Sequence, residues 1–332
     1  MKSKYLFVIS IVGIFAILFV VILSAPKNIS EIKYKEKTRI GQMPFTDSLV
    51  YLHDPAHISR YKELLIVTDN GNSRILVIDT SFNLKYMLGK RGRGPSEFMD
   101  PNCAVMNDNY LFVKDNILSD IKIFKKDSLI TAIQLKRRCV SPFGVDRNNN
   151  IYLSSQSDQH VITKVDIQGN VISEFGEIKK EKSDKLTRIN SAASIVIDEG
   201  QNIYALFYTT PIIQKYDPKG TLLWETNLSY LPAVKKRLEE IEESNKKGTS
   251  PGYSYQSVGL SISVDKNKAY CKMSSKGSEQ SLFVVDAISG DVEAFVKFEL
   301  KDKKNAHSIL SYNNKILFID TISDLLVITE RE

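Results

Sequence analysis

Cysteine is scarce in this sequence: Cys103, Cys139 and Cys271 are the only three among 332 residues. An odd, widely spaced set carries no disulfide framework, which excludes a stapled mini-protein and leaves buried free thiols as the expectation. Sixteen Gly and 10 Pro are too few for a collagen-like or low-complexity chain. A strong charge of one sign is missing as well. Lys and Arg number 45 and Asp and Glu 39, for a net charge of +6. Residues 1–30 hold Lys2, Lys4 and Lys27 and no acid, so half of that excess sits in the first thirty residues. A chain so nearly balanced has no basic footprint for nucleic acid. What is abundant is apolar residues, 42% of the total, enough at this length to bury a large core.

Uncharged runs are short except for one. Tyr5 to Leu23 is nineteen residues without a charge, directly after Met1-Lys-Ser-Lys4. A spanning helix needs about 20 apolar residues, whereas the apolar region of a cleaved secretory signal has about 7–15. The cleavage site is poorly formed: Ala25 would end the signal, but Leu23 occupies the small-residue position before it and Pro26 would follow the cut. No cysteine is near enough for a lipoprotein signal. Residues 1–30 therefore read as a signal anchor or signal peptide, the anchor being favoured. Lys2 and Lys4 hold the short end in the cytoplasm. The expectation is a single-pass protein of the cell inner membrane with residues 31–332 in the periplasm. A cleaved signal would instead release a periplasmic or secreted protein.

From residue 31 the pattern changes to short β runs between Asp/Asn/Gly turns. One run recurs six times: Leu64–Asp69, Tyr110–Asp115, Ile151–Ser154, Ile203–Leu206, Ala269–Lys272 and Ile316–Asp320. Their starts are 46, 41, 52, 66 and 47 residues apart, close to one propeller blade in four of five cases. A turn such as Asp146-Arg-Asn-Asn-Asn150 precedes the run and a shorter strand precedes the turn. A third strand and, in five units, a fourth follow it, as in Ile162–Asp166 and Val171–Phe175. Four antiparallel strands per unit and six units predict an all-β, six-bladed β-propeller over residues 31–332. The sixth unit lacks its fourth strand, and Ile32–Ile40 is long enough to supply it beside Leu325–Thr329. The long fifth spacing holds an insertion at about 231–255, in which Val234, Leu238 and Ile241 make one stripe of a short helix.

The first unit carries the sharpest motif: Asp69-x-x-Asn72-x-Arg74-Ile75, then Leu88-Gly89-x-x-Gly92-x-Gly94-Pro95-x-Glu97-Phe98-x-x-Pro101. It resembles the NHL-type propeller repeat, and more closely the six-bladed propellers abundant in Bacteroidota. That resemblance covers roughly residues 32–330 and implies an extracytoplasmic propeller.

Candidate sites are few. Gly92-Arg-Gly94-Pro-Ser-Glu97-Phe98 lacks the following helix that a phosphate loop requires. It reads as a connection between blades, with Phe98 plugged into the core and Glu97 paired with an arginine; the alternative is a ligand face that displays Arg91 and Arg93. His57 and His307 lie just before the innermost strands of the first and last units and are weak metal candidates without a third ligand. In the insertion, Tyr253 and Tyr255 and the Val234/Leu238/Ile241 stripe are available to a partner. No catalytic set or cofactor site is assembled. The expected function is a membrane-tethered binding or scaffold module for a protein, peptide or glycan. The alternative is a metal-dependent lyase or lactonase of the NHL or sugar-lactonase type, acting at the central channel.

Overall fold

A computed structural model describes residues 30–40, 51–137, 142–154, 156–247, 257–274, 279–299, 306–313, 315–320 and 325–331. The apolar run Tyr5–Leu23, Cys139, Tyr253 and Tyr255 lie outside the described residues. Among the described residues, no helix is long and apolar enough to cross a membrane.

Strand β1 (Ser30–Ile40) precedes six sets of strands. The first set is β2–β5 (Pro55–Tyr61, Leu64–Asp69, Arg74–Asp79, Leu84–Leu88) and the second β6–β9 (Pro101–Met106, Leu111–Asp115, Asp120–Lys125, Ser128–Gln134). The third is β10–β13 (Gly144–Val145, Ile151–Ser154, His160–Val165, Val171–Glu177) and the fourth β14–β17 (Ala193–Ile197, Ile203–Phe207, Ile212–Tyr216, Leu222–Asn227). The fifth is β18–β21 (Gly259–Asp265, Lys268–Met273, Glu279–Asp286, Val292–Glu299) and the last β22–β24 (Ala306–Tyr312, Lys315–Asp320, Leu325–Arg331). Helix α1 (Asp184–Asn190) links the third and fourth sets, and α2 (Pro232–Lys247) the fourth and fifth.

Each of the first four sets is its own four-stranded antiparallel sheet. The others share one eight-stranded sheet, in the order β18-β19-β20-β21-β1-β24-β23-β22. Strand β1 is the seam. Its Ser30–Lys33 pairs in parallel with Ala294–Lys297 of β21, and its Tyr34–Ile40 pairs antiparallel with Leu326–Arg331 of β24. The sequence suggests only the second pairing; the strand also covers the outer edge of the preceding set. The first strands of successive sets touch in a closed cycle, β2–β6–β10–β14–β18–β22–β2. They surround a central channel.

The middle strands are largely buried because both of their faces meet a neighbouring sheet, and most of their residues are apolar. Strands β7 and β15 are buried at every residue, whereas the outer strands β9 and β17 alternate between exposed and covered positions. Between the first two sheets, Ile66, Ile75 and Val77 pack with Ala104, Leu111, Val113 and Phe124. Turns repeat with the sheets. Asp166 Oδ1 accepts the Gln168 and Asn170 amides (2.9 and 2.8 Å), and Asp217 does the same for Lys219 and Thr221 (2.9 and 2.8 Å). Gly220 closes the latter turn at φ +89°, where a Cβ would stand 2.6 Å from Phe175 Cγ, so both conformation and space demand glycine.

Helix α2 begins with proline at its first position, where the missing N–H has no helical partner anyway. Val234 is buried, and Leu238 and Ile241 are partly buried against the core cluster between the fourth and fifth sheets, to which Leu228, Leu231 and Val258 belong. The stripe offered to a partner by sequence pattern is therefore spent on the propeller itself. Leu238→Asp is expected to cost about 1–2 kcal/mol and lower the melting temperature by a few degrees. The exposed neighbour Glu239→Ala should leave it unchanged. Equal melting temperatures for the two variants would contradict this packing. Helix α1 is not expected from the sequence. Its seven residues are too few to show a 3.6-residue period, and it rests on Ser183, whose hydroxyl accepts the Leu186 amide (3.3 Å).

Candidate functional site

In an antiparallel meander, the turns joining first to second strands and third to fourth strands lie on one face of the ring. The second-to-third turns and the links between sets lie on the other. The channel holds a cavity of about 820 Å³. Its wall is built from the innermost strands, including Ile58, Val105, Val145, Val196, Val264 and Leu310. Its rim is built from first-to-second turns, including Lys62, Asn107, Asp108, Asp146, Arg147, Glu199, Gln201 and Lys266. The cavity thus opens on the first face.

Innermost strands present one unpaired backbone edge to the channel, and unpaired buried amides are costly. Serines of the adjacent sheet resolve this. Ser308 Oγ accepts the Ile58 amide (3.3 Å), Ser261 Oγ that of Ile309 (3.2 Å) and Ser263 Oγ that of Ser311 (2.9 Å). The Ser59 hydroxyl donates to Ala104 O (2.7 Å). Sequence reasoning missed these residues, although serine at alternate positions of the otherwise apolar Leu260-Ser-Ile-Ser-Val264 is the available signal.

The rim is stitched from set to set. The Tyr61 hydroxyl and the Lys62 ammonium (2.5 Å) both donate to Asp108 Oδ1. Those two bonds, Lys62 first, hold the Asp108 carboxyl below its usual range. Asn107 Nδ2 donates to Asp146 O (3.0 Å) and Asn149 Oδ1 (3.0 Å) of the next turn. Arg147 donates its amide to Gln201 Oε1 (2.8 Å) and Nη2 to Glu199 O (2.7 Å) of the one after. Five of these turns place a non-glycine residue at positive φ: Lys62, Asn149, Gln201, Lys266 and Asn313. Acids outnumber bases in the turns: Glu63, Asp108, Asp146, Asp198 and Glu199 against Lys62, Arg147 and Lys266. A polar rim joined by hydrogen bonds, above a wall that mixes apolar residues with Ser59, Ser263 and Ser311, suits recognition of an amphipathic segment.

The residues singled out from sequence are not brought together here. Arg91 and Arg93 are exposed in the link between the first two sets, on the opposite face, and neither lines the cavity. In that link Phe98 is fully buried between the first two sheets. Glu97 takes the Gly94 amide (2.8 Å) and Lys90 (3.4 Å) rather than the expected arginine, because Arg91 and Arg93 point to solvent. His57 and His307 lie within strands β2 and β22, not before them. His57 is buried with Nδ1 3.6 Å from Cys103 Sγ, and burial, with Lys114 adding, pushes its pKa down to about 4. His307's side chain lies outside what is described. Among the described residues, no group of three or more His, Cys, Asp or Glu is placed to hold a metal ion. Cys103 and Cys271 are both buried.

The motif Asp69-x-x-Asn72-x-Arg74 has a structural meaning. Buried Asp69 accepts Arg74 Nε (2.7 Å), Asn72 Nδ2 (2.9 Å) and the His53 amide (2.8 Å). In the second set an acid replaces the arginine: Asp115 pairs with Asp120 across the ladder as Asp69 pairs with Arg74. Asp115 is saturated by the amides of Met99, Asp100, Ile117 and Leu118 (2.7–3.1 Å), while Asp120 Oδ1 has no partner. Burial pushes the Asp120 pKa up to about 6, with Asp115 adding and Lys122 opposing. A raised carboxyl pKa means that the folded state holds its proton more tightly. The stability this contributes is complete below the ordinary carboxylate range and is lost as pH rises through about 6. Asp120→Asn should therefore melt higher than the parent at about pH 8 and gain nothing at about pH 4. A gain of equal size at both pH values would refute the assignment.

Four-stranded antiparallel sheets set round a channel define a β-propeller. The chain belongs to the DUF5128 family, described as a 6-bladed beta-propeller, whose profile matches residues 45–258. Among solved structures, a Bacteroides fragilis protein described as exported aligns with a TM-score of 0.60 at 12% identity, covering 92% of this chain and 98% of its own. A DUF4221 member from Bacteroides vulgatus aligns at 0.56 and 12% identity, covering 92% and 99%. A streptogramin B lyase aligns at 0.53 and 12% identity, covering 90% and 98%. These likenesses speak for the fold alone. No curated protein matches the chain.

Proposed function

We propose that this protein is a six-bladed propeller tethered to the outer side of the cytoplasmic membrane, where it binds a protein, peptide or glycan segment at its channel mouth. The observation that carries this reading is the rim, which is hydrogen-bonded from turn to turn across the first four sets, above a cavity of about 820 Å³. Six first strands in a closed cycle support the blade number, with β1 completing the last blade. The uncharged run Tyr5–Leu23 behind Lys2 and Lys4 supports the tether and its direction.

The experiment is a screen of residues 30–332 against peptide and glycan libraries, followed by charge reversal. Binding lost with Arg147→Glu and kept with Arg93→Glu is the expected result. The reverse pattern would move the site to the opposite face and sink the reading. Stoichiometric zinc or calcium in the purified protein would favour a lyase or lactonase instead.

A further inference from the structure

The seam strand also fixes the side from which the N-terminal segment reaches the propeller. Strand β1 runs parallel to β21, so both travel from the channel-mouth face to the opposite face. Ser30 stands level with Ala294, two residues after β21 begins at Val292. The turn before β21 contains Ala287 and Ile288, which themselves line the channel cavity. Ser30 therefore stands at the outer rim near the channel-mouth face. Between Leu23, where the strongly apolar run ends, and Ser30 lie six residues, which span at most about 20 Å. The opposite face is farther off by the length of β21, eight residues or about 26 Å.

We propose that the channel-mouth face is turned toward the bilayer and receives the extramembrane segment of a membrane-embedded protein. This rests on the tethered reading of residues 1–30. A linker that reaches up to about 20 Å is long enough to carry the mouth clear of the headgroup layer, about 5–8 Å deep on each side, where a segment projecting from the membrane can enter it. The excess of acids in the rim turns also opposes flat docking on anionic lipid.

The test uses the full chain in its native membranes with Cys139→Ser, since Cys103 and Cys271 are buried. Single cysteines go to the mouth face (Asn148→Cys or Asn267→Cys) or to the opposite face (Ile117→Cys or Lys185→Cys), all exposed positions. Each is labelled with a fluorescent donor, with the acceptor on lipid headgroups. Energy transfer at least about twofold greater from the mouth sites is expected from the difference of about 26 Å. Equal or reversed transfer from a wash-resistant protein overturns the orientation and leaves the tether standing. Release of the protein by high-salt and alkaline washing overturns the tether and the orientation together. For the occupant, benzophenone on the same cysteines should cross-link to an integral membrane protein from the mouth sites only, and less so with Arg147→Glu. Lipid adducts alone, no product, or equal yields from both faces overturn that assignment.

Discussion

Removing Ser30–Ile40 is expected to leave a protein that melts at least about 10 °C lower and aggregates on expression. Two edges open at once. Four residue pairs with β21 and six with β24 disappear, and the outer strands of two neighbouring sheets become unpaired. At roughly 0.5–1.5 kcal/mol for each net hydrogen bond, the loss is on the order of 5 kcal/mol or more, comparable with the whole stability of an ordinary domain. Because the strand also links the fifth set to the last, cooperativity should fall along with stability. A calorimetric trace is expected to broaden or split, since the sets flanking the seam no longer share a sheet. Replacing only Ser30–Lys33 with Gly/Ser should open the β21 edge alone and give a smaller drop. A full deletion that stays soluble and melts unchanged would show that the cycle of first strands closes the ring unaided.

The middle strands of this fold are legible in the sequence because they are sandwiched. Leu64–Asp69 and Leu111–Asp115 carry apolar residues on both faces and recur at blade spacing. The recurring turns are legible through Asp166 and Asp217, whose carboxylates must receive backbone amides. The rim is not legible. Its contacts join residues one blade apart, 47 positions between Tyr61 and Asp108 and 54 between Arg147 and Gln201, and polar turn residues look alike whether they face solvent or each other. Arg91 and Arg93 drew attention because the glycines around them are conspicuous. Those glycines serve the backbone: at Gly92 a Cβ would stand 2.0 Å from Glu97 Oε2. Asp120 is visible only by aligning the first two units and finding an acid where the first has Arg74.

Asp69→Ala is expected to be among the most damaging single substitutions outside the apolar core. The carboxylate is fully buried, and it neutralises Arg74, only 16% exposed, through one 2.7 Å contact. Arg74 in turn reaches Tyr51 O through Nη2 (2.5 Å), and Asn72 Nδ2 bridges the same carbonyl (3.1 Å) to Asp69. Removing Asp69 thus strands a guanidinium and the His53 amide together and frees the segment that leads into the first sheet. Breaking a buried pair from one side costs about 3–5 kcal/mol, here a fall of roughly 5–10 °C. The exposed pair Arg137–Asp158 provides the control: its contact is as short, 2.5 Å, but its side chains are 31% and 64% exposed. Asp158→Ala should cost little, because water takes the place of the carboxylate. Arg74→Ala should fall between the two, since Asp69 keeps its bonds to Asn72 and to the His53 amide. Urea melts of the three variants test this order through their midpoints. Equal losses for Asp69→Ala and Asp158→Ala would mean that burial does not set the worth of the motif, and that its place in the first blade is a matter of surface chemistry.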